Sequence, residues 1–195
     1  MEWLVLVLFV SITVALLRGG RLINLADVRL RAWWLLLLGF GLQVASNYLP
    51  ADADWAQEVG VGLVLVSFVP LLALVILNRD KPGMWLAGVG ILMNFSVIAL
   101  NGGMPVLTEA AQVASNYQTE VVVDDYKHVV MGPDTRLATL GDVIPLRVVT
   151  VGTVISLGDV FLAVGLGIFP ESELRRPVRW FKRGARGTSG SAVGR

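Results

Sequence analysis

Five long apolar stretches limit this chain more than any other feature. They cover roughly residues 1–17, 33–49, 59–77, 84–100 and 148–169. A helix needs about 20 residues to cross a bilayer's hydrocarbon core, with about 17 as the lower limit. The runs are continuous rather than alternating, and they are too few to close a barrel. Composition agrees: 55% of the residues are apolar and 16% charged, against roughly 45–50% and about 25% in soluble domains. The expected fold class is therefore all-α, a polytopic membrane protein of five transmembrane helices. The first run carries one acid, Glu2, and ends in Leu-Leu-Arg-Gly-Gly-Arg without a small-residue cleavage site, which fits a retained anchor.

Charge is sorted along the chain. Thirteen of the 16 basic residues fall in the 18–31 linker, the turn at Arg79 and Lys81, and the tail from Arg175 onward. An odd number of spans puts these segments on one side. The other side holds ten of the 15 acids and three bases. The positive-inside rule then sets the N-terminus outside and the C-terminus in the cytoplasm. Trp33, Trp34, Tyr48, Trp55 and Trp85 flank the spans as interfacial anchors. Residues 1–170 form the expected membrane domain, and 171–195 a basic, disordered cytoplasmic tail that meets anionic headgroups.

The connection 101–147 is too long for a turn. Asn101-Gly102-Gly103-Met104-Pro105 forces a bend, Thr108 reads as the N-cap of a helix over 109–116, and residues 121–123 suit a short extended run. The expectation is a small folded extracytoplasmic cap over the outer mouth of the bundle.

Asp159 is the main anomaly, because a carboxylate inside an apolar span costs roughly 2.5–3.5 kcal/mol unless protein or water receives it. Helical spacing puts Gly152, Ser156, Asp159, Ala163 and Gly167 on one stripe. Gln43 and Asn47 on the second span, and Asn94 and Asn101 on the fourth, add polar faces toward the outer half. Interhelical hydrogen bonding is the expected role of Gln43 and Asn94. Burial is expected to raise the Asp159 pKa, which suits a proton carrier or general acid. His128 is the single imidazole, with Lys127, Asp124 and Asp125 beside it in sequence. The chain has no cysteine and one histidine, so thiolate and multi-histidine metal sites are excluded, and no metal or cofactor is expected. A net charge of +1 gives no case for nucleic acid.

Asn101-Gly102-Gly103-Met104-Pro105, Lys127-His128, Thr135, Leu140-Gly141-Asp142-Val143-Ile144-Pro145, Ser156-Leu157-Gly158-Asp159 and Gly19-Gly20-Arg21-Leu22 form a set. Together they resemble a bacterial family of small five-span membrane proteins known only as a domain of unknown function. The resemblance covers about residues 1–170 and implies a bacterial inner-membrane location with no assigned activity. Residues 155–165 are also similar in spacing to a motif of the lipoprotein signal peptidases, Phe-Asn-x-Ala-Asp-x-x-Ile-x-x-Gly. That likeness implies a dyad of Asp159 with Asp134 or Asp142. Ser156 stands where that motif has asparagine, no Asn-x-x-Asp-Arg precedes it, and that family has four spans. A helix starting at Val148 would also put Asp159 about 16 Å along its axis, so an outer partner reaches it only if the loop dips inward or the helix begins near Thr153.

Three functions follow as expectations. One is an outward pocket centred on Asp159 that binds or transports a proton, ion or small ligand, lined by Asn101, Lys127, His128, Ser156, Asn94, Asn47 and Gln43. The second is an outer-face aspartyl hydrolase using Asp159, Asp142 and Asp134. The third is a structural or assembly subunit. Expected partners are the lipid bilayer and either a membrane-protein partner or a second copy of the chain.

Overall fold

The computed structural model describes residues 2–50, 53, 55–115, 127–148 and 151–176. Asp52, Asp54, Glu120, Asp124, Asp125, the extended run expected at 121–123 and the tail from 177 lie outside them. The described residues form six helices and one four-stranded sheet. In chain order these are α1 (Glu2–Leu17), a 3-10 turn (Leu22–Asp27), α2 (Trp34–Ser46), α3 (Ala56–Leu77), α4 (Met84–Asn101), β1 (Met104–Val106), α5 (Thr108–Ala114), β2 (His128–Val130), β3 (Asp142–Val148), β4 (Val151–Ser156) and α6 (Leu157–Leu174). A further 3-10 turn, Ala138–Leu140, precedes β3.

Two helices, α3 with 22 residues and α4 with 18, are long and apolar enough to cross a membrane. The apolar α1 and α2 are shorter, at 16 and 13 residues. The sheet corrects the all-α expectation. Its order is β2-β1-β3-β4, with β1 parallel to both β2 and β3, and β3 antiparallel to β4. The run expected as one span from 148 is instead a strand followed by a helix. Every residue of 148–155 except Gly152 is β-branched, and such side chains favour the pleated strand over the crowded helix. At the far end α6 continues to Leu174, four residues beyond the expected boundary at 170. In the 101–147 connection α5 begins at Thr108 with Leu107 as its N-cap, and no side chain bonds that N-cap.

Helix neighbours run in the order α2, α3, α4, α6, α1. The apolar core lies between α3 (Val64, Phe68, Leu71, Val75) and α4 (Met84, Ala87, Ile91, Val97, Ile98), and Met104 carries it up to β1. Phe68 and Phe95 meet edge to face at 6.1 Å. The α4–α6 seam is closed by small residues instead. A Cβ on Gly165 would stand 2.5 Å from the Ala87 nitrogen, and one on Gly90 2.7 Å from the Leu162 nitrogen. Only glycine lets these backbones come so near. This close seam brings the start of α6 against the side of α4, where the polar residues converge.

Candidate functional site

Two turns deliver the site. Asn101 closes α4, and Gly102 follows in the left-handed region at φ +68°, where glycine carries no Cβ penalty. The Asn101 side chain donates to the carbonyls of Val97 (2.8 Å) and Arg136 (2.9 Å) and accepts from the Arg136 N–H (2.8 Å). It therefore staples the 132–137 turn to the end of α4. In that turn Thr135 Oγ1 accepts from the Gly132 N–H at 2.9 Å. Gly141 then passes close to β1: a Cβ there would lie 2.6 Å from the Pro105 carbonyl oxygen.

These turns set Asp142 at the start of β3, paired with Val106 of β1 on one side and Ser156 of β4 on the other. His128 opens β2 opposite Met104. Its imidazole reaches past β1, which lies between β2 and β3, so that Nε2 is 3.5 Å from Asp142 Oδ2. Asp142 is only 5% exposed, and its Oδ1 has no hydrogen-bond partner among the described residues. Burial pushes the Asp142 carboxyl above the usual aspartate value. Hydrogen bonding and charge from His128 oppose the rise, the Asp159 charge adds to it, and Lys127 opposes it more weakly.

Asp159 has a different surrounding. Ser156 is the N-cap of α6, and its hydroxyl accepts from the Asp159 N–H at 2.9 Å. Asp159 Oδ2 accepts in return from the Ser156 N–H at 3.2 Å. This reciprocal pair is a capping box. Asp159 Oδ1 accepts from Asn94 Nδ2 at 2.8 Å, and the Ser156 hydroxyl donates to Asn94 Oδ1 at 3.0 Å. Asp159 thus sits in the first turn of α6, not deep along a helix begun at 148, and both its oxygens are engaged.

Asp142, His128, Asp159, Asn94 and Ser156 come together, with Lys127 near enough for its charge to act on Asp142. Asn101 borders them as a brace. Three expected site residues lie apart. Asp134 is exposed on the 132–137 turn, and Asn47 is exposed at the end of α2. Gln43 Nε2 donates to Ser67 Oγ (3.0 Å), tying α2 to α3 in the interhelical role expected of it. No hydrogen bond joins Asp134 to Asp142 or Asp159 among the described residues. The two carboxylates of Asp142 and Asp159 interact through charge, with no hydrogen bond between them among the described residues. No cluster of three or more metal-ligating side chains occurs among the described residues.

Sequence reasoning passed over a second polar group at the opposite end of α6. Glu173, 3% exposed, meets Lys81 Nζ at 3.4 Å and Arg176 Nη2 at 2.9 Å. Asn24 and Asn78 are buried at the same end; both N–H groups of Asn24 donate to carbonyls, and Asn78 is bonded through its nitrogen and its oxygen. An acid and an amide at the very ends of apolar runs were the available signal.

Of the motifs that carry the family resemblance, Lys127-His128, Leu140 to Pro145 and Ser156 to Asp159 meet at the Asp142–Asp159 junction, and Asn101 to Pro105 and the Thr135 turn border it. The exception, Gly19 to Leu22, belongs to the opposite end. A family of unknown function, DUF5317, matches residues 27–170. An uncharacterized protein of Thermotoga maritima is 32% identical over 108 residues, 55% of this chain and 61% of the relative. The chain thus spans about three-fifths of the length of that relative. No solved structure matches. With well over half its length inside the family's profile, the chain belongs to the DUF5317 family.

Proposed function

We propose that this protein is a multi-pass protein of the bacterial inner membrane, with α1, α2, α3, α4 and α6 as its five spans, the N-terminus outside and the C-terminus in the cytoplasm. The sheet and α5 form its outer cap. The helices support this reading through what they leave exposed. Val69 is 62% exposed, Trp85 70%, and large apolar side chains stand outward along α1, α2, α3 and α4. So many large apolar side chains turned outward on every long helix are expected of a chain solvated by lipid, not by water. The 13 residues of α2 reach roughly 20 Å, a shortfall that a bilayer meets by local thinning and by anchors such as Trp33, Trp34 and Tyr48.

Within that frame the Asp142–His128 pair is a proton-binding centre on the outer side, braced by the Asp159–Asn94–Ser156 network. One observation carries the reading: a carboxylate almost wholly buried, with one oxygen unsatisfied, beside the only imidazole in the chain. Such a group is costly as an anion and is eased by a proton on the pair.

The single histidine makes the test direct, since its ring resonances need no assignment. In the reconstituted full chain, the His128 ring signals followed against pH should show a midpoint that moves to lower pH in Asp142→Asn, because a neighbouring carboxylate favours imidazolium. Identical titrations in the two proteins, both folded by circular dichroism, would defeat the reading. The span count is tested separately. The chain has no cysteine, so single cysteines at Asp134 and Arg79 can be probed with an impermeant maleimide in intact cells. Labelling at 134 and not at 79 is expected.

A further inference from the structure

The linker between α1 and α2 is not slack chain. Gly19, at φ +85°, turns it after α1, and the Gly20 N–H donates to the Ala15 carbonyl at 2.8 Å. It then crosses the end of the bundle on three anchors. The Arg21 N–H donates to the Leu174 carbonyl at 3.0 Å. Asn24 Nδ2 donates to the carbonyls of Leu174 (2.7 Å) and Arg176 (2.8 Å). The Arg31 N–H donates to Asn78 Oδ1 (2.8 Å), and Asn78 Nδ2 donates to the Arg31 carbonyl (3.0 Å). The buried amides thus satisfy carbonyls at the end of α6 and fix the linker's outer face.

That face has two independent properties. On the Leu22–Asp27 turn, Asn24 is buried against the bundle while Leu22 and Ile23 are 56% and 64% exposed. The exposed Arg21 precedes the turn, the exposed Arg29 follows it and the exposed Arg79 follows the Asn78 anchor. The exposed acids Asp27 and Asp80 stand in the same segments, yet none of the three arginines pairs with a carboxylate among the described residues. Glu173 and Glu171 are occupied elsewhere, by Lys81 and Arg176 and by Arg18 and Arg175.

From the exposed Leu22–Ile23 pair on an anchored linker and the three unpaired arginines of that linker and its Asn78 anchor, which outnumber Asp27 and Asp80, we infer an interfacial binding surface for anionic phospholipid headgroups. Guanidinium groups hold phosphate through paired N–H donors, and the two aliphatic side chains enter the boundary between headgroups and acyl chains. The inference rests on the membrane reading above, with this end of the bundle at the cytoplasmic surface, where anionic lipid attracts basic segments.

The test uses the full chain in zwitterionic phosphatidylcholine nanodiscs and in nanodiscs in which part of that lipid is replaced by phosphatidylglycerol. Lipid retained after extraction into detergent is counted by native mass spectrometry. The wild type should retain phosphatidylglycerol over phosphatidylcholine. Replacing Arg21, Arg29 and Arg79 together by glutamine should cut that preference on the order of a hundredfold, about fivefold per arginine. The basic tail is present in both proteins, so the difference reports this surface alone. Leu22→Ser with Ile23→Ser should weaken retention of both lipids alike. An unchanged preference in the triple variant overturns the inference, and so does full competition by millimolar inorganic phosphate, which would mark a free-anion site. Failure of the membrane reading looks different: the chain would leave the membrane fraction in alkaline carbonate before any lipid is compared.

Discussion

Adding one methyl group at Gly158 should unlock the polar network at the start of α6. A Cβ there would lie 2.8 Å from Asn94 Cγ and 2.9 Å from the Gly90 carbonyl oxygen, with Asn94 Oδ1 nearer still. Asn94 is buried, so Gly158→Ala must push its side chain away from both partners. Two hydrogen bonds are then lost, Asn94 to Asp159 and Ser156 to Asn94. A bond to a charged group contributes about 1.5–3 kcal/mol and a neutral one about 0.5–1.5. Alanine's better helix propensity returns up to about 1 kcal/mol. The net expectation is a loss of about 2 kcal/mol. Gly62 supplies the control: it lies in α3 with nothing within 4 Å of an added Cβ, so Gly62→Ala should gain roughly 0.5–1 kcal/mol. The two variants should therefore differ by about 3 kcal/mol in equilibrium unfolding in mixed detergent–dodecyl sulfate micelles, followed by circular dichroism. If Gly158→Ala unfolds together with Gly62→Ala, Asn94 does not lock α4 to α6.

The Asp142 carboxyl is raised above its ordinary 3.8 by burial, so the folded state binds its proton more tightly than the unfolded chain does. Wild-type stability should then fall as pH climbs from about that ordinary value through the folded-state value and level off beyond it. Asp142→Asn should remove this fall, as urea or dodecyl sulfate titrations at several pH values would show. Asp159→Asn keeps an oxygen but loses the charge that meets the α6 N-terminus. Lower thermal stability with His128 still titrating is expected, and a lost His128 titration would contradict the bracing role. Glu173→Gln leaves Lys81 without its carboxylate in a nearly closed site and should cost about 3 kcal/mol. Lys81→Met added to it should recover part, and additive losses would refute the pairing. Asn101→Ala should free the 132–137 turn and raise proteolytic cleavage there, while cleavage at the wild-type rate would count against the staple.

The helices α3 and α4 were legible almost to the residue, at 59–77 and 84–100 against Ala56–Leu77 and Met84–Asn101. Long apolar runs bounded by Asn78, Gly83 and Gly102 admit few alternatives. The fifth run did not reveal its change of structure, because continuous apolarity has no period to separate strand from helix. A finer signal was present. Ser156-x-x-Asp159 is the capping-box spacing, and it marks a helix start eight residues after the β-branched run begins. The sheet was harder to see. β1 and β2 have three residues each, and their parallel pairing joins segments far apart in the chain, where no local pattern announces a partner.

Where α6 starts also decides how each acid is surrounded. Inside a span, Asp159 would have been the costly and therefore suggestive carboxylate. At N3 of a helix, with one oxygen on a backbone N–H and the other on Asn94, it is a satisfied anchor that fixes the angle between the sheet and α4. In sequence Asp142 is only one of two candidate partners for Asp159, in the run Leu140-Gly141-Asp142-Val143-Ile144-Pro145. Folding puts it between β1 and β4, 5% exposed, and leaves one oxygen without a partner among the described residues. A buried polar atom left unpaired costs about 1–3 kcal/mol. Replacing Asp142 by a small apolar residue would remove that cost at the level of the fold alone. The orphaned oxygen, rather than any gain in packing, is therefore the observation on which the proposed proton-binding role of the Asp142–His128 pair rests.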